Sequence, residues 1–267
     1  MRTGFIGGGV MGEALLKNLI GRSISKANDI TVSDVSGARR DYLHKTYAVH
    51  CVKSNLEAVK NADVIILAVK PQDAARVMQE IKNKLNPGQL AISIMAGITL
   101  DSLTKGLAHG KIVRCMPNMP AQIGEGITTW VAATAVTAAQ KKLAGKILSA
   151  MGEEIMLGYE KYMDMATAIS GCGPAYIYLF IETLIDAGVH IGLTRAMAEK
   201  LAVESTIGSA RSIKVLQKHP AELRNMVTSP GGITAEGLLQ LESGGLRSLL
   251  LKAVIAAYEK ANKMGSK

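Results

Sequence analysis

The chain has 267 residues, 48% hydrophobic and 20% charged, a composition suited to a soluble globular protein large enough for two domains. The formal net charge of +9 is spread along the chain in short doublets such as Arg39-Arg40 and Lys141-Lys142, and aromatics make up 4%; without basic–aromatic interleaving this argues against a nucleic-acid reader. No apolar run is expected to reach membrane-span length, a strand from residue 2 leaves no room for a signal peptide, and Cys51, Cys115 and Cys172, an odd set without C-x-x-C spacing, fit a reducing cytoplasm better than a disulfide framework or a zinc site.

The first strand, Arg2–Ile6, runs into Gly7-Gly8-Gly9-Val10-Met11-Gly12, and Ala14, Leu15, Leu16, Leu19 and Ile20 then mark one face of a helix. This is G-x-G-x-x-G at a strand-to-helix turn. Gly7 permits the tight turn, Gly9 lets backbone approach a pyrophosphate, and Gly12 lets helix and strand pack closely. Unpaired N–H groups at the helix start present partial positive charge to phosphates. A second strand, Ile30–Asp34, ends in Asp34, about 20 residues beyond the turn, where an acidic residue accepts bonds from a ribose diol. Ser33, Ser36, Arg39 and Arg40 instead suit a 2′-phosphate, so the local signals conflict.

Further strands are predicted at His50–Val52, Val64–Val69, Leu90–Ile94, Ile112–Met116, Thr128–Val131 and Glu154–Leu157, with helices between, such as Gln72–Leu85 and Thr137–Met151. The unbroken apolar run from Val64 to Val69 is what a parallel strand covered on both faces requires. The fold class is therefore α/β: a doubly wound Rossmann-type sheet over residues 1–158, followed by an all-helical domain over 159–267. Two strand ends carry chemistry. Ala68-Val69-Lys70-Pro71 places Lys70 at the carboxyl edge of the sheet, with Pro71 opening a helix. Met116-Pro117-Asn118-Met119-Pro120 holds the Asn118 amide in a rigid extended turn.

From Tyr159 onward only helices are predicted: Lys161–Ile169, Pro174–Ile191, Thr194–Leu216, Ala221–Met226, Thr234–Glu242 and Gly245–Lys263. The last carries a stripe of Leu246, Leu249, Leu250, Ala253, Val254, Ala257, Tyr258 and Ala261. Small residues recur at Ala198, Ala202, Gly208 and Ala210; together these features predict a dimer. Ser170-Gly171-Cys172-Gly173-Pro174 is expected to break one helix and start another. Val227-Thr228-Ser229-Pro230-Gly231-Gly232-Ile233-Thr234 feeds a helix whose first N–H groups make a ready carboxylate site, with Ser229 and Thr234 adding hydroxyls. Thr234 is also a common helix cap. His44, His50, His109, His190 and His219 show no metal spacing.

Taken together, these motifs resemble pyrroline-5-carboxylate reductases over nearly the whole length. The resemblance rests on Phe5–Gly12, Ala68–Pro71, Met116–Pro120, Ser170–Tyr176, Ser229–Thr234 and Glu242-Ser243-Gly244-Gly245-Leu246-Arg247, with the Ser229–Thr234 loop the most specific. Val10 stands where Asn is common, Met119 replaces a usual Thr, Cys172 a usual Ser, and Val35 stands where many bacterial members carry Arg. The last, with Asp34, runs against the family's usual preference for NADPH. The resemblance implies reduction of 1-pyrroline-5-carboxylate to L-proline, the last step of proline biosynthesis. NADPH is the expected cofactor and NADH is also admitted. Gly7–Gly12, Ser33, Asp34, Ala68–Pro71 and Asn118 are expected to bind it.

By the same resemblance the substrate is held by Val227, Ser229, Pro230, Gly231, Gly232 and Ile233, with Thr234 bonded to the imine nitrogen. No metal is expected, nor nucleic-acid or membrane partners. The chain is expected in the cytoplasm as a homodimer or a larger assembly of dimers, with substrate and cofactor held by different chains. Two rivals share the sequence plan: a β-hydroxyacid dehydrogenase, for which Lys161 and Lys200 lack the glycine-rich setting of its catalytic lysine, and a nucleotide-sensing regulator without turnover, against which the intact Ser229–Thr234 loop argues.

Overall fold

The computed structural model describes residues 1–265. Two compact units emerge: Met1–Cys172 with the segment from Tyr258 onward, and Gly173–Ala257. In the first unit the strands are β1 (Thr3–Ile6), β2 (Ile30–Ser33), β3 (His50–Val52), β4 (Val64–Leu67), β5 (Leu90–Ser93), β6 (Ile112–Met116), β7 (Gly126–Ala132) and β8 (Gly152–Met156). They form one sheet in the order β3-β2-β1-β4-β5-β6-β7-β8. The chain turns from β1 toward β2 on one side and β4 on the other, which creates a switch point at the carboxyl ends of these three strands.

Helices α1 (Val10–Gly21), α2 (Gly37–Tyr47), α3 (Asn55–Lys60), α4 (Ala74–Ile81), α5 (Leu100–Leu107) and α6 (Ala138–Leu148) cover the sheet. Strand alternation sends Phe5, Val32, Ile66 and Ile92 into one core with Leu15, Leu19, Leu43 and Ile147. It sends Ile6, Ile65, Leu67 and Ala91 into a second core with Val59, Val77, Ile81 and Leu103. Ser36, Ser54, Thr99 and Thr137 cap their helices through side-chain oxygens.

Three elements differ from the sequence expectation. Strand β7 pairs antiparallel to β6, because the segment between Met116 and Gly126 is too short for a crossover helix. The helix predicted to reach Leu85 stops at Ile81: Lys82 is extended and Asn83 has φ +60°. The expected break at Ser170–Pro174 is instead a π turn. After α7 (Tyr162–Ala166), residues Thr167–Gly171 widen the helix, and the N–H of Cys172 donates to the carbonyl of Thr167 at 2.9 Å. Widening lets the chain pass Pro174, which has no N–H for the Ser170 carbonyl.

The second unit holds α8 (Gly173–His190), α9 (Arg195–Leu216), α10 (Pro220–Met226), α11 (Ile233–Ser243) and most of α12 (Leu246–Gly265). Its core is Ile185, Ala198 and Ala202, with Ile181 and Leu193 against them. Gly188 passes so close to Ala198 that a Cβ there would lie 2.9 Å from the alanine Cβ, so the small residues at Ala198 and Ala202 serve α8–α9 packing. Leu179, Leu201, Leu239, Leu249, Leu250 and Leu251 are exposed. Contrary to the sequence expectation, Tyr162–His190 is long and apolar enough, by length and composition alone, to cross a membrane. Almost none of its apolar stretch is buried, and the same length and composition suit a helix that another protein surface covers.

Candidate active site

The glycine turn lies at the switch point. Gly7 has φ +97°, and a Cβ on it would strike the Ala68 carbonyl oxygen at 2.7 Å; a Cβ on Gly12 would lie 2.6 Å from the Gly7 carbonyl oxygen. Both positions therefore need glycine. In front of Gly9 a Cβ would meet nothing within 4 Å. The N–H of Gly7 donates to the Ser33 carbonyl and that of Gly8 to Asp34 Oδ2 at 2.9 Å. Among the described residues, the N–H groups of Gly9, Val10, Met11 and Gly12 have no hydrogen-bond partner in the chain. An open space faced by free amides at a helix start is a cradle for a pyrophosphate, so the residues present fit a dinucleotide.

Behind this turn a crevice runs along the strand ends, lined by Gly7, Gly9, Ser33, Asp34, Val35, Asn55, Ala68, Val69 and Lys70, with Asp73 and Arg76 on its rim. Pro71 opens a short 3-10 turn beside it, with Lys70 at the cap position. Lys70 is exposed and has no ion pair among the described residues. Asn55 was not singled out from the sequence. It follows β3 at the first position of α3, accepts a hydrogen bond from the Ser33 hydroxyl at 2.7 Å, and donates to Glu80 at 2.7 Å. The available signal was the Ser54 cap, which starts a helix directly after a strand end on the same edge as Ser33.

Around Asp34 the polar side chains make hydrogen bonds within the chain. Asp34 Oδ1 accepts the Ser36 N–H at 2.9 Å and its Oδ2 the Gly8 N–H, so the carboxylate ties the glycine turn to the end of β2. Arg39 bonds within the chain: its Nε donates to the Gly8 carbonyl and its Nη2 to Glu13. Arg40 donates through Nη1 to the carbonyls of Asp34 at 2.7 Å and Val35 at 3.2 Å and has no carboxylate partner among the described residues. Burial pushes the Glu13 carboxyl up, but hydrogen bonds from Tyr47, Arg39 and Tyr42 and the Arg39 charge outweigh it, leaving Glu13 below the ordinary carboxylate range.

Asn118 acts as a strut within the first unit. Its Oδ1 accepts the Ile127 N–H at 2.9 Å, and its Nδ2 donates at 3.1 Å to the Ser170 carbonyl, the group that Pro174 leaves without a helical partner. Nearby, buried Arg114 bonds Glu160 at 2.7 Å and Asp164 at 3.5 Å, and Glu160 also accepts the Leu100 N–H. Burial pushes the Cys115 thiol far up, so it stays protonated.

The second cluster lies in the helical unit. After α10, Val227 closes the helix and Ser229-Pro230-Gly231 turns the chain, with Gly231 at φ +66°. The N–H of Gly232 donates to the Ser229 carbonyl at 3.0 Å, so within the expected carboxylate site this amide is already used. Those of Gly231, Ile233 and Thr234 have no partner in the chain among the described residues. A Cβ on Gly232 would collide with Ser229 Oγ at 2.3 Å. Gly232, not Thr234, occupies the cap position of α11, and no side chain caps it. Thr234 is the second residue of the helix, exposed, its hydroxyl without a partner among the described residues. Ile233 beside it is 95% exposed, an apolar side chain with nothing of its own unit over it.

A doubly wound sheet with an open glycine turn at its switch point, joined to an all-helical unit, is the plan of a two-domain nicotinamide-dependent oxidoreductase. The family model described as pyrroline-5-carboxylate reductase dimerisation matches residues 160–264, and the one described as NADP oxidoreductase coenzyme F420-dependent matches residues 2–97. A pyrroline-5-carboxylate reductase of Synechocystis is 44% identical over 267 residues, covering 100% of this chain and 99% of that one. That of Escherichia coli K12 is 36% identical, covering 98% of each.

Among solved structures, a pyrroline-5-carboxylate reductase from Coxiella burnetii superposes with a TM-score of 0.91 at 37% identity, covering 98% of each chain. The Plasmodium falciparum pyrroline carboxylate reductase with NADP bound superposes with a TM-score of 0.90 at 37% identity, covering 99% of this chain and 98% of that one. Prephenate dehydrogenase from Aquifex aeolicus, at 13% identity and a TM-score of 0.55, shares the fold alone. The chain belongs to the pyrroline-5-carboxylate reductase family.

Proposed function

We propose that the protein reduces 1-pyrroline-5-carboxylate to L-proline, with NADPH preferred and NADH accepted, as the last step of proline biosynthesis. The carrying observation is the Ser229–Thr234 loop, with free amides and an unbonded hydroxyl at the first turn of α11, in a chain similar throughout to pyrroline-5-carboxylate reductases. The substrate is a small cyclic imine bearing a carboxylate. Gly9 to Gly12 would hold the pyrophosphate of the cofactor, and Ser33, Asp34 and Ala68 to Pro71 would contact the rest of it along the same crevice. Bound NADPH supplies the hydride that adds to the imine carbon, while the C=N electron pair moves to a nitrogen that is already protonated.

The amides of Gly231 and Ile233 receive the substrate carboxylate beside the positive end of α11, with Val227, Ser229 and Pro230 shaping the loop. The Thr234 hydroxyl faces the imine nitrogen. A protonated imine is already a strong electrophile, so positioning is the main task, and positioning can supply about 7–11 kcal/mol in the best cases. Arg40, which donates to the carbonyls of Asp34 and Val35 at the end of β2 and has no carboxylate partner among the described residues, is the group assigned to the 2′-phosphate that Asp34 would otherwise repel.

The protein works as a homodimer or an assembly of dimers in the cytoplasm, its cysteines free thiols. The exposed leucines of α8, α9 and α12 support a second copy as their cover. Steady-state assay decides the function. Proline formation from pyrroline-5-carboxylate with NADPH, and no oxidation of 3-hydroxyisobutyrate with NADP, is expected. The reverse pattern assigns a β-hydroxyacid dehydrogenase, and cofactor binding without either turnover assigns a sensor.

A further inference from the structure

Gly8 is gripped on both sides. Its N–H donates to Asp34 and its carbonyl accepts from Arg39 Nε. In a planar trans peptide the C=O and the following N–H point in opposite directions. Fixing the Gly8 carbonyl toward Arg39 therefore aims the Gly9 N–H the other way. That N–H has no partner in the chain among the described residues, and nothing stands within 4 Å of the place a Gly9 Cβ would occupy. Between two glycines this peptide has little steric preference of its own, so the arginine decides its orientation.

Arg39 is itself held. Its Nη2 meets Glu13 in the first turn of α1, and its guanidinium lies 5.0 Å from the centre of the Tyr42 ring. Glu13 is fixed in turn by the Tyr42 hydroxyl at 3.0 Å and the Tyr47 hydroxyl at 2.7 Å. Only 26% of the Arg39 side chain and 18% of the Glu13 side chain reach solvent. With Nε on the Gly8 carbonyl and Nη2 on Glu13, the guanidinium is oriented toward the glycine turn.

We infer that Arg39, held by Glu13, Tyr42 and Tyr47, is a positioning residue that presets the Gly9 amide for the pyrophosphate, and that it serves NADPH and NADH alike. The inference rests on the dinucleotide reading above. The pyrophosphate is common to both cofactors, so losing Arg39 weakens both equally, whereas losing Arg40 weakens NADPH alone.

Calorimetric titration of Arg39→Gln, Glu13→Gln and Arg40→Gln with NADPH and NADH tests this. Arg39→Gln is expected to raise both dissociation constants about tenfold, the scale of one charge-assisted hydrogen bond. Their ratio stays within about twofold, and kcat at saturation is unchanged while both KM values rise. Glu13→Gln gives a smaller, equally shared loss. Arg39→Lys does not restore binding, because an ammonium cannot span both acceptors as the planar fork does. Tyr47→Phe, which removes one hydrogen bond to the Glu13 carboxylate without changing a formal charge, covers the case in which an Arg39 variant fails to fold, and also weakens both cofactors equally. A selective loss of NADPH in Arg39→Gln, or no loss of either cofactor, overturns the inference. A wild-type protein that binds neither cofactor overturns the dinucleotide reading and the inference with it, an outcome distinct from an unequal loss.

Discussion

The two units solve the burial problem in opposite ways. The sheet unit sends apolar residues to both faces and covers each with helices, so Phe5, Leu15, Ile65 and Leu67 are fully enclosed. The helical unit encloses three apolar side chains and leaves whole leucine faces of α8, α9 and α12 open. Local propensity alone stabilises long helices only weakly, and most helical stability in proteins comes from packing an apolar face. The sheet unit thus carries its own core, whereas the helical unit leaves most of its apolar faces without a core of its own.

The sharpest way to break this contrast is a charge in the middle of an open face. Leu250→Asp lies at a site half exposed in the single chain, where a charge would cost about 0.5 kcal/mol or less if the chain acted alone. If a second copy covers it, the variant is a monomer by light scattering with reductase activity abolished. A fully active oligomer would show that nothing packs there.

The complementary substitution is in the sheet unit. Leu19→Ala, at a fully buried site against the sheet, should cost about 2–5 kcal/mol through lost transfer energy and the cavity left behind. Its effect should appear in thermal melts without a change in oligomeric state. Next in size is Thr234→Ala. The hydroxyl caps nothing, so its removal should leave the melting temperature alone. A hydrogen bond to a group whose charge changes during reaction is worth about 1.5–3 kcal/mol, so kcat should fall roughly 10- to 150-fold. A drop in melting temperature with kcat within about twofold of wild type would make Thr234 structural. Asp34→Ser removes both the charge proposed to face the ribose and a support of Gly8. The NADPH-to-NADH ratio of kcat/KM should rise while both values fall, and an unchanged ratio would place the carboxylate out of reach of the ribose.

The same contrast explains what could be read from the sequence. The strands and the glycine turn were legible because their signals are local: continuous apolar runs, a strand-to-helix glycine pattern, Ser and Thr caps. The open leucine faces were also legible as helical periodicity, but sequence cannot say what covers an apolar face, so Tyr162–His190 satisfies the length and composition of a membrane span while falling within the matched dimerisation region. What sequence missed depends on partners far along the chain. The bond from Arg39 to Glu13 joins residues 26 apart. The bond from Asn118 to the Ser170 carbonyl joins residues 52 apart. The antiparallel pairing of β7 follows from connection length, which was available, but the rule for doubly wound sheets pointed the other way.

The smallest expected effect compares one carboxylate from each unit. Glu13 lies below the ordinary range because bonds from Tyr47, Arg39 and Tyr42 outweigh burial. Glu242 lies below it because Arg247 grips it through Nε and Nη2 at 2.7–2.9 Å. The sign is the same for both. A carboxyl whose folded value is depressed contributes stability that is fully present above its unfolded value and is lost as pH falls through the folded one, so both contributions vanish only in acid, below the ordinary carboxylate range. Their screening differs. The Glu242–Arg247 pair stands in open solvent, and in about 1 M salt, where the Debye length is about 3 Å, its contribution should disappear. Glu13 is enclosed by two tyrosines and an arginine, and should keep most of its contribution. Melting temperatures of Glu13→Gln and Glu242→Gln against wild type, at neutral and acid pH and at low and high salt, separate the two. The Glu242 difference should close with salt at neutral pH, and the Glu13 difference should close only with acid. If salt erases both equally, the Arg39–Glu13 contact is a surface pair, and the rigid hold on the Gly8 carbonyl goes with it.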